Sequence, residues 1–412
     1  MKEKQIELLS PAGDMERLKL AVKFGADAVY VGANMFTMRA GAKNFTFESL
    51  KQAASFAHEN GVKLYLTCNT LPRNDEIGMM PQFLKDAASC DIDAFIIADM
   101  GVLSLAKKYA PEIDVHISTQ AGIVNYEAAN AFYEMGASRI VTARELSLDD
   151  IKTIRDKTNP NLEIEAFVHG AMCMSFSGRC LLSDYMVGRD ANRGDCAQPC
   201  RWKYHLMEET RPGEFFPVYQ DDNGSHILNS KDLCMIEHIS ELDKAGIDSF
   251  KIEGRAKSEY YTAIVTYAYR NAIDGYLASG RADNYKPQKW ILDEMNKMSH
   301  RVYTTGFYFG HIKSGQVYQT AGYIRDWDVV ALFEKVENDR LFLKQRNRFY
   351  PGDVLEVVEP GKKPYKFTVE DLRDVDGEII DVANKAAATV SVKCDREISP
   401  DAIFRRERTD NA

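Results

Sequence analysis

ELLSPAGDMERLKLAVKFGADAVYVG, from Glu7 to Gly32, is a strand, an amphipathic helix and a second strand, and residues 1–284 largely repeat that unit. Asp14 is placed to cap the helix and Gly25 to stop it. Outward from this unit, FESLKQAASFAHENG leads to VKLYLTCNTL, and DAFIIADMG, LSLAKKYA and DVHISTQAG follow. YEAANAFYEMG then leads to SRIVTARELS, and LDDIKTIRDK to NLEIEAFVHG. The last short run, IDSFKIEGR, precedes the long helical EYYTAIVTYAYRNAIDGYLASG. Helical crossovers between successive strands imply parallel pairing, and the eight strands counted here fit a closed α/β (β/α)8 TIM-like barrel. A doubly wound open sheet is the alternative, but no GxGxxG follows the first strand.

The rhythm breaks after the seventh strand. An insertion at about 170–230 carries no clear helix before DLCMIEHISELDKAG, and long loops inside compact domains are usually functional. KYHLMEE and EFFPVYQ, on either side of a Pro-Gly turn, suggest a hairpin within it. Of eight cysteines, Cys173, Cys180, Cys196, Cys200 and Cys234 fall in this insertion or at the start of the helix that closes it. In a barrel this is the C-terminal face, where active sites are built. The spacing C-x6-C-x15-C-x3-C-x33-C lacks the paired CxxC of zinc ribbons. Zinc, an iron–sulfur group and purely structural thiols all remain open on spacing alone.

Residues 285–310 have little periodicity and are expected to be a linker. From 311 to 412 the chain turns to short alternating segments separated by turn residues: GQVYQTAGYI, DVVALFEKV, RLFLKQRN, DVLEVVEP, KKPYKFTV and ATVSVKC. They predict a small C-terminal all-β barrel domain. The net charge of −9 argues against indiscriminate nucleic-acid binding and leaves room only for a local basic groove. Arg189, Arg193, Arg201 and Lys203 form one candidate stretch, and Arg340, Lys344, Arg346 and Arg348 the other. MKEKQIELLSPAG offers no apolar signal core, and no run approaches the length of a membrane span, so a cytoplasmic location and no membrane contact are expected.

Alternation along the seventh strand puts Glu165, Phe167 and His169 on one face, making Glu165 and His169 acid–base candidates at the barrel mouth. A protease reading would pair His169 with one thiol, but it leaves four neighbouring cysteines unexplained. Neither HExxH nor GxSxG occurs. Other strand ends supply Ser10, Asn34, Arg39, Asn69, Asp99, Arg144, Glu145, Lys251, Glu253 and Arg255, while His116, Ser118 and Gln120 share a face of the fifth strand. Arginines at the mouth suit a small anionic substrate, because guanidinium matches carboxylate bidentately. Arg144 and Arg255 are the expected substrate-binding clamps.

The opening ELLSPAGDMERLKLAVKFGADAVYVG, the central EAFVHGAMCMSFSGRCLLSDYMVGRDANRGDCAQPCRWKY, and the later NSKDLCMI and SFKIEGRAKS resemble the collagenase-like peptidase family of unknown catalytic type, peptidase family U-32. The match covers nearly the whole chain, and length and C-terminal segment are similar to its tRNA hydroxylation branch. The resemblance implies conversion of wobble uridine in the tRNA anticodon loop to 5-hydroxyuridine, with prephenate as a small anionic co-substrate instead of molecular oxygen. It also implies a 4Fe–4S cluster on Cys173, Cys180, Cys196 and Cys234, with Cys200 as the rival fourth ligand. Sister branches imply alternatives, hydroxylation of ribosomal RNA or of the ubiquinone ring, and the family label implies a collagenase-like peptidase. A second family member as heteromeric partner is a further expectation.

Overall fold

The computed structural model describes residues 5–38, 43–172, 180–191, 194–199, 231–310 and 323–408, with the backbone alone at 219–221 and 224–226. β1 (Glu7–Pro11), β2 (Ala28–Gly32), β3 (Lys63–Cys68), β4 (Ala94–Ile97), β5 (Asp114–Ile117), β6 (Arg139–Val141) and β7 (Glu163–Ala171) pair in parallel, each with the next. The insertion contributes a hairpin, β8 (Tyr219–Asp221) with β9 (Gly224–His226), and a short strand, β10 (Asp232–Cys234). β11 (Ser249–Ile252) pairs in parallel with both β7 and β1 and closes the ring as the eighth barrel strand. β2 and β4 are buried along their whole length, as parallel strands are when helices cover one side and a barrel interior the other.

The helices begin where the sequence places polar caps. Asp14, Thr46, Asp99, Asn125, Ser147 and Ser258 each accept a backbone N–H from the first turn of the helix that follows. Each cap contributes about 1 kcal/mol and fixes where a loop of the C-terminal face turns back down the barrel wall. α1 (Met15–Lys23) stops just before Gly25, as expected.

DLCMIEHISELDKAG is not the single helix that its pattern suggests. Asp232–Cys234 is strand β10, antiparallel to the end of β7, with Cys234 opposite His169. Regular helix starts only at Ile239. The cause is an open strand edge. β6 ends at Val141, opposite Glu165, and the Met235 N–H then donates to Val168 O at 2.9 Å. Buried backbone groups need such partners, so the edge recruits β10. Six residues of the insertion, Leu182–Val187, do form a short helix, and the expected KYHLMEE–EFFPVYQ hairpin lies outside the described residues except at its last positions, Tyr219 and Gln220.

Within 285–310, Lys289–Glu294 is helical, and β12 (Tyr303–Thr304) pairs in parallel with β10. Beyond it stand β13 (Trp327–Glu337), β14 (Arg340–Gln345), β15 (Val354–Val358), β16 (Tyr365–Thr368), β17 (Thr389–Lys393) and β18 (Ile403–Glu407). They form one antiparallel sheet in the order β16-β15-β18-β13-β14-β17 around a core that includes Leu341, Phe349, Val357 and Phe404. β16 and β17, at the two ends, do not pair, so the C-terminal domain is a half-barrel. Most of GQVYQTAGYI lies outside the described residues, and β18 is a strand that the sequence pattern did not mark.

Candidate active site at the barrel mouth

A cleft opens among the C-terminal strand ends, lined by Tyr30, Asn69, Gln120 and Phe167 and by four charged side chains, Arg144, Lys251, Glu253 and Arg255. Each cation is held differently. Arg144, just past β6, lays its guanidinium 4.0 Å from the Phe167 ring centroid, and its Nη1 donates to Ala171 O at 2.8 Å. Its Nε is buried with no partner among the described residues. Arg255 donates from Nη1 to Thr67 Oγ1 at 2.9 Å, and that hydroxyl donates on to Val31 O at 3.0 Å. Gly32 makes room for it: a Cβ there would stand 1.9 Å from Arg255 Nη1. Lys251 donates from Nζ to Glu165 Oε1 at 2.7 Å. On the opposite wall Gln120 Oε1 accepts from Asn69 Nδ2 at 3.0 Å and from the Ser118 hydroxyl.

The two expected clamps, Arg144 and Arg255, therefore meet in one cleft. The two expected acid–base residues do not line it. Glu165 is fully buried below, its Oε1 on Lys251 and its Oε2 on Arg139 Nη1 at 3.0 Å. Arg139 also binds Glu7 at 2.6 Å and Glu163 at 2.7 Å, so a layer of fixed charge plugs the barrel under the cleft. Burial pushes the Glu7 carboxyl up, but Arg139 and the hydrogen bonds from Tyr65 and Ser249 outweigh it and hold it below the usual range.

His169 departs from the expected face through a bulge. Phe167 pairs with Lys251 but His169 with Ile252, so two steps on β7 oppose one on β11. The imidazole turns among the rings of Tyr261, Tyr269 and Tyr303, at 6.0, 5.6 and 5.5 Å. Burial, with the charges of Lys257 and His300, pushes its pKa down to about 3. Gly170 follows at φ +110, against Glu253 O, where only glycine fits without strain.

Cys180 is half-buried and Cys196 exposed. Cys196 Sγ accepts the Gln198 N–H at 3.3 Å. Its segment sits on the barrel mouth, because Gly194 packs against the backbone of Thr37 and Met38, and Met38 lines the cleft. Cys234 stands opposite His169, and burial pushes its thiol up to about 11. Cys173 and Cys200 lie outside the described residues, as do Arg39, Arg193, Arg201 and Lys203. Unbridged thiols at Cys196 and Cys234 are the donor chemistry a thiolate-bound metal group requires. Among the described residues, however, no three His, Cys, Asp or Glu side chains converge as a metal site.

Sequence reasoning missed Arg139 and placed Lys251 only among the polar strand ends. A signal was present: Glu7, Arg139 and Glu163 each open a barrel strand with a charge, and Arg139 pairs directly with Glu163.

These features define a (β/α)8-barrel protein with a cation-lined mouth, a thiol-bearing insertion over it and an appended half-barrel. The chain belongs to peptidase family U32: residues 13–317 match that family, and residues 325–405 match the peptidase family U32 C-terminal domain. A tRNA hydroxylation protein P1 of Bacillus subtilis is 36% identical over 98% of this chain and 95% of its own length. A 23S rRNA 5-hydroxycytidine synthase of Escherichia coli is 35% identical over 76% of this chain and 46% of its own. A collagenase of Porphyromonas gingivalis is 36% identical over 75% of each chain. No helix among the described residues is long and apolar enough to cross a membrane.

Proposed function

We propose that this chain is an RNA-modifying enzyme that hydroxylates the wobble uridine of tRNA to 5-hydroxyuridine, with prephenate rather than molecular oxygen as co-substrate. One observation carries the reading: the likeness to a protein named for tRNA hydroxylation runs through barrel and half-barrel alike, 98% of this chain. The cleft agrees with it. Arg144 and Arg255 offer guanidinium groups to an acidic co-substrate, and the open C-terminal face suits a base splayed from a single-stranded loop. Arg346 and Arg348, beside β14, are the residues proposed to meet RNA phosphates. Cys173, Cys180, Cys196 and Cys234 would hold a 4Fe–4S cluster, with Cys200 as the alternative fourth ligand. Such a cluster supplies one-electron transfer.

The relative named as a collagenase keeps a peptidase as second reading. The histidine that sequence pairs with a thiol, His169, is a poor base for it. It is enclosed by tyrosines and its pKa lies near 3, far from the neutral range that general-base catalysis favours.

Mass spectrometry of tRNA nucleosides from a deletion strain tests the proposal. Loss of 5-hydroxyuridine and its derivatives, restored by the wild-type gene, is expected. Unchanged nucleosides in a strain with no redundant enzyme would reject it, and gelatin cleavage by the purified chain would favour the peptidase.

A further inference from the structure

We propose that Lys251 sets the specificity of the mouth for a small dianion, and that Glu165 is the positioning residue that holds it there. The inference deepens the co-substrate reading above and rests on it.

Lys251 rises from β11 and is only 4% exposed. An ammonium carries three N–H donors, and this one makes a single hydrogen bond among the described residues, to Glu165. Its remaining surface meets two aromatic rings of the cleft, Tyr30 at 4.6 Å and Phe167 at 5.5 Å from the centroids. Arg144 lies over the same Phe167 ring at 4.0 Å. With Nη1 given to Ala171 O, its Nε–Nη2 edge has no partner among the described residues, and that edge is the fork that grips a carboxylate. Two cations with unused donors thus share one apolar ring. A ligand with two acidic groups on a flat body satisfies both and covers the ring. A monoanion leaves the spare donors of one of the two cations unmatched, and sites of this kind reject analogues that lack the matching group.

Glu165 fits positioning better than neutralisation. Its Oε2 is engaged by Arg139, so only Oε1 serves Lys251, and a wholly buried carboxylate fixes the ammonium in one place. Arg139 in turn is held by Glu7 and Glu163.

The test is equilibrium binding of prephenate, a dianion, and phenylpyruvate, the corresponding monoanion, to the full chain by calorimetry. Wild type is expected to prefer prephenate. Lys251→Met alone strands Glu165, so the main variant is the neutral pair Lys251→Met with Glu165→Gln, its folding checked by thermal melting. It should weaken prephenate binding by about 10-fold or more and leave phenylpyruvate within about 2-fold. Lys251→Arg, which keeps the charge and its carboxylate partner, should retain part of the preference while shifting the ratio of the two affinities. Glu165→Gln alone should raise KM for prephenate and leave KM for tRNA unchanged, a split that general destabilisation would not produce. A folded double variant that binds prephenate as wild type does, or loses both acids equally, overturns the assignment, as does an unchanged ratio in Lys251→Arg. Wild-type protein that binds neither acid contradicts the co-substrate reading itself.

Discussion

Arg139 is among the largest fully buried side chains of the molecule, and three carboxylates surround it. Removing one partner from such a group leaves uncompensated buried charge, which costs about 3–5 kcal/mol. Arg139→Met is therefore expected to lower stability by about that amount in urea unfolding. His116, on β5, stands edge-on to the Tyr65 ring at 4.6 Å, and burial, with Arg139, Lys251 and Lys63, holds its pKa well below the ordinary value of 6.5. The unfolded chain takes up a proton at pH 6.5 where the folded one does not, so stability falls as the pH drops below that point. Each such histidine contributes about 1.4 kcal/mol per pH unit. His116→Gln should reduce the loss of stability between pH 6.5 and 5.5 by about 1 kcal/mol, since the unfolded imidazole is already half protonated at pH 6.5, measured by denaturant unfolding at each pH. Glu7 does not mask this effect, because its lowered pKa acts only below the carboxylate value of 4.5. That Arg144 and Arg255 reach the cleft was legible in sequence, because both stand just past strand ends. The charged plug was not, because a charge in a short strand looks like solvent-facing surface until closure turns it inward.

At the scale of the element, strand ends decide what reaches the cleft. β2 ends in Gly32 because Arg255 occupies the space a side chain would need. Gly32→Ala sets a methyl 1.9 Å from Arg255 Nη1 and 2.6 Å from Thr37 Oγ1, which drives the guanidinium out of place. The strand itself has no positive φ at this position, so the expected cost is about 1–3 kcal/mol of overpacking, with the fold kept. KM for the proposed acidic co-substrate should rise at least about 10-fold, checked by steady-state kinetics beside a melting curve. β7 shows where alternation stops being a guide. Period-two reading puts Glu165, Phe167 and His169 on one face, and it holds for the first pair until the bulge at Val168 shifts the register. A one-residue shift reverses every side chain beyond it, and nothing in EAFVHGAM announces it except Gly170, which tolerates the positive φ that follows. The strand nature of DLC was hidden for a related reason, since it depends on an edge that β6 leaves open far away in sequence.

Across the whole molecule, the half-barrel is fastened to the barrel by a buried ion cluster. Arg405 of β18 is fully buried and binds Glu294 of the barrel side at 2.7 Å, the Tyr260 hydroxyl at 3.0 Å, and Glu356 of β15. Lys297 completes it, 3.1 Å from Glu294 and 2.8 Å from Glu356. Arg405→Met is expected to cost about 3–5 kcal/mol and to split one calorimetric transition into two as the domains uncouple. The eightfold alternation that makes the barrel was plain in sequence, and so was the change to short β segments. The docking was not, since Glu294 and Lys297 lie in a stretch without periodicity and meet Arg405 only in three dimensions. A fixed half-barrel would present Arg346 and Arg348 to RNA at a constant distance from the mouth, as the proposed reaction on an anticodon loop requires. The direct measurement is reconstitution without oxygen: purified, iron-loaded chain, unmodified tRNA and prephenate, with nucleosides analysed by mass spectrometry. 5-Hydroxyuridine is expected at the wobble position, dependent on prephenate and absent when iron is removed. No product from the loaded protein, or equal product from iron-free protein, would contradict the proposed reaction.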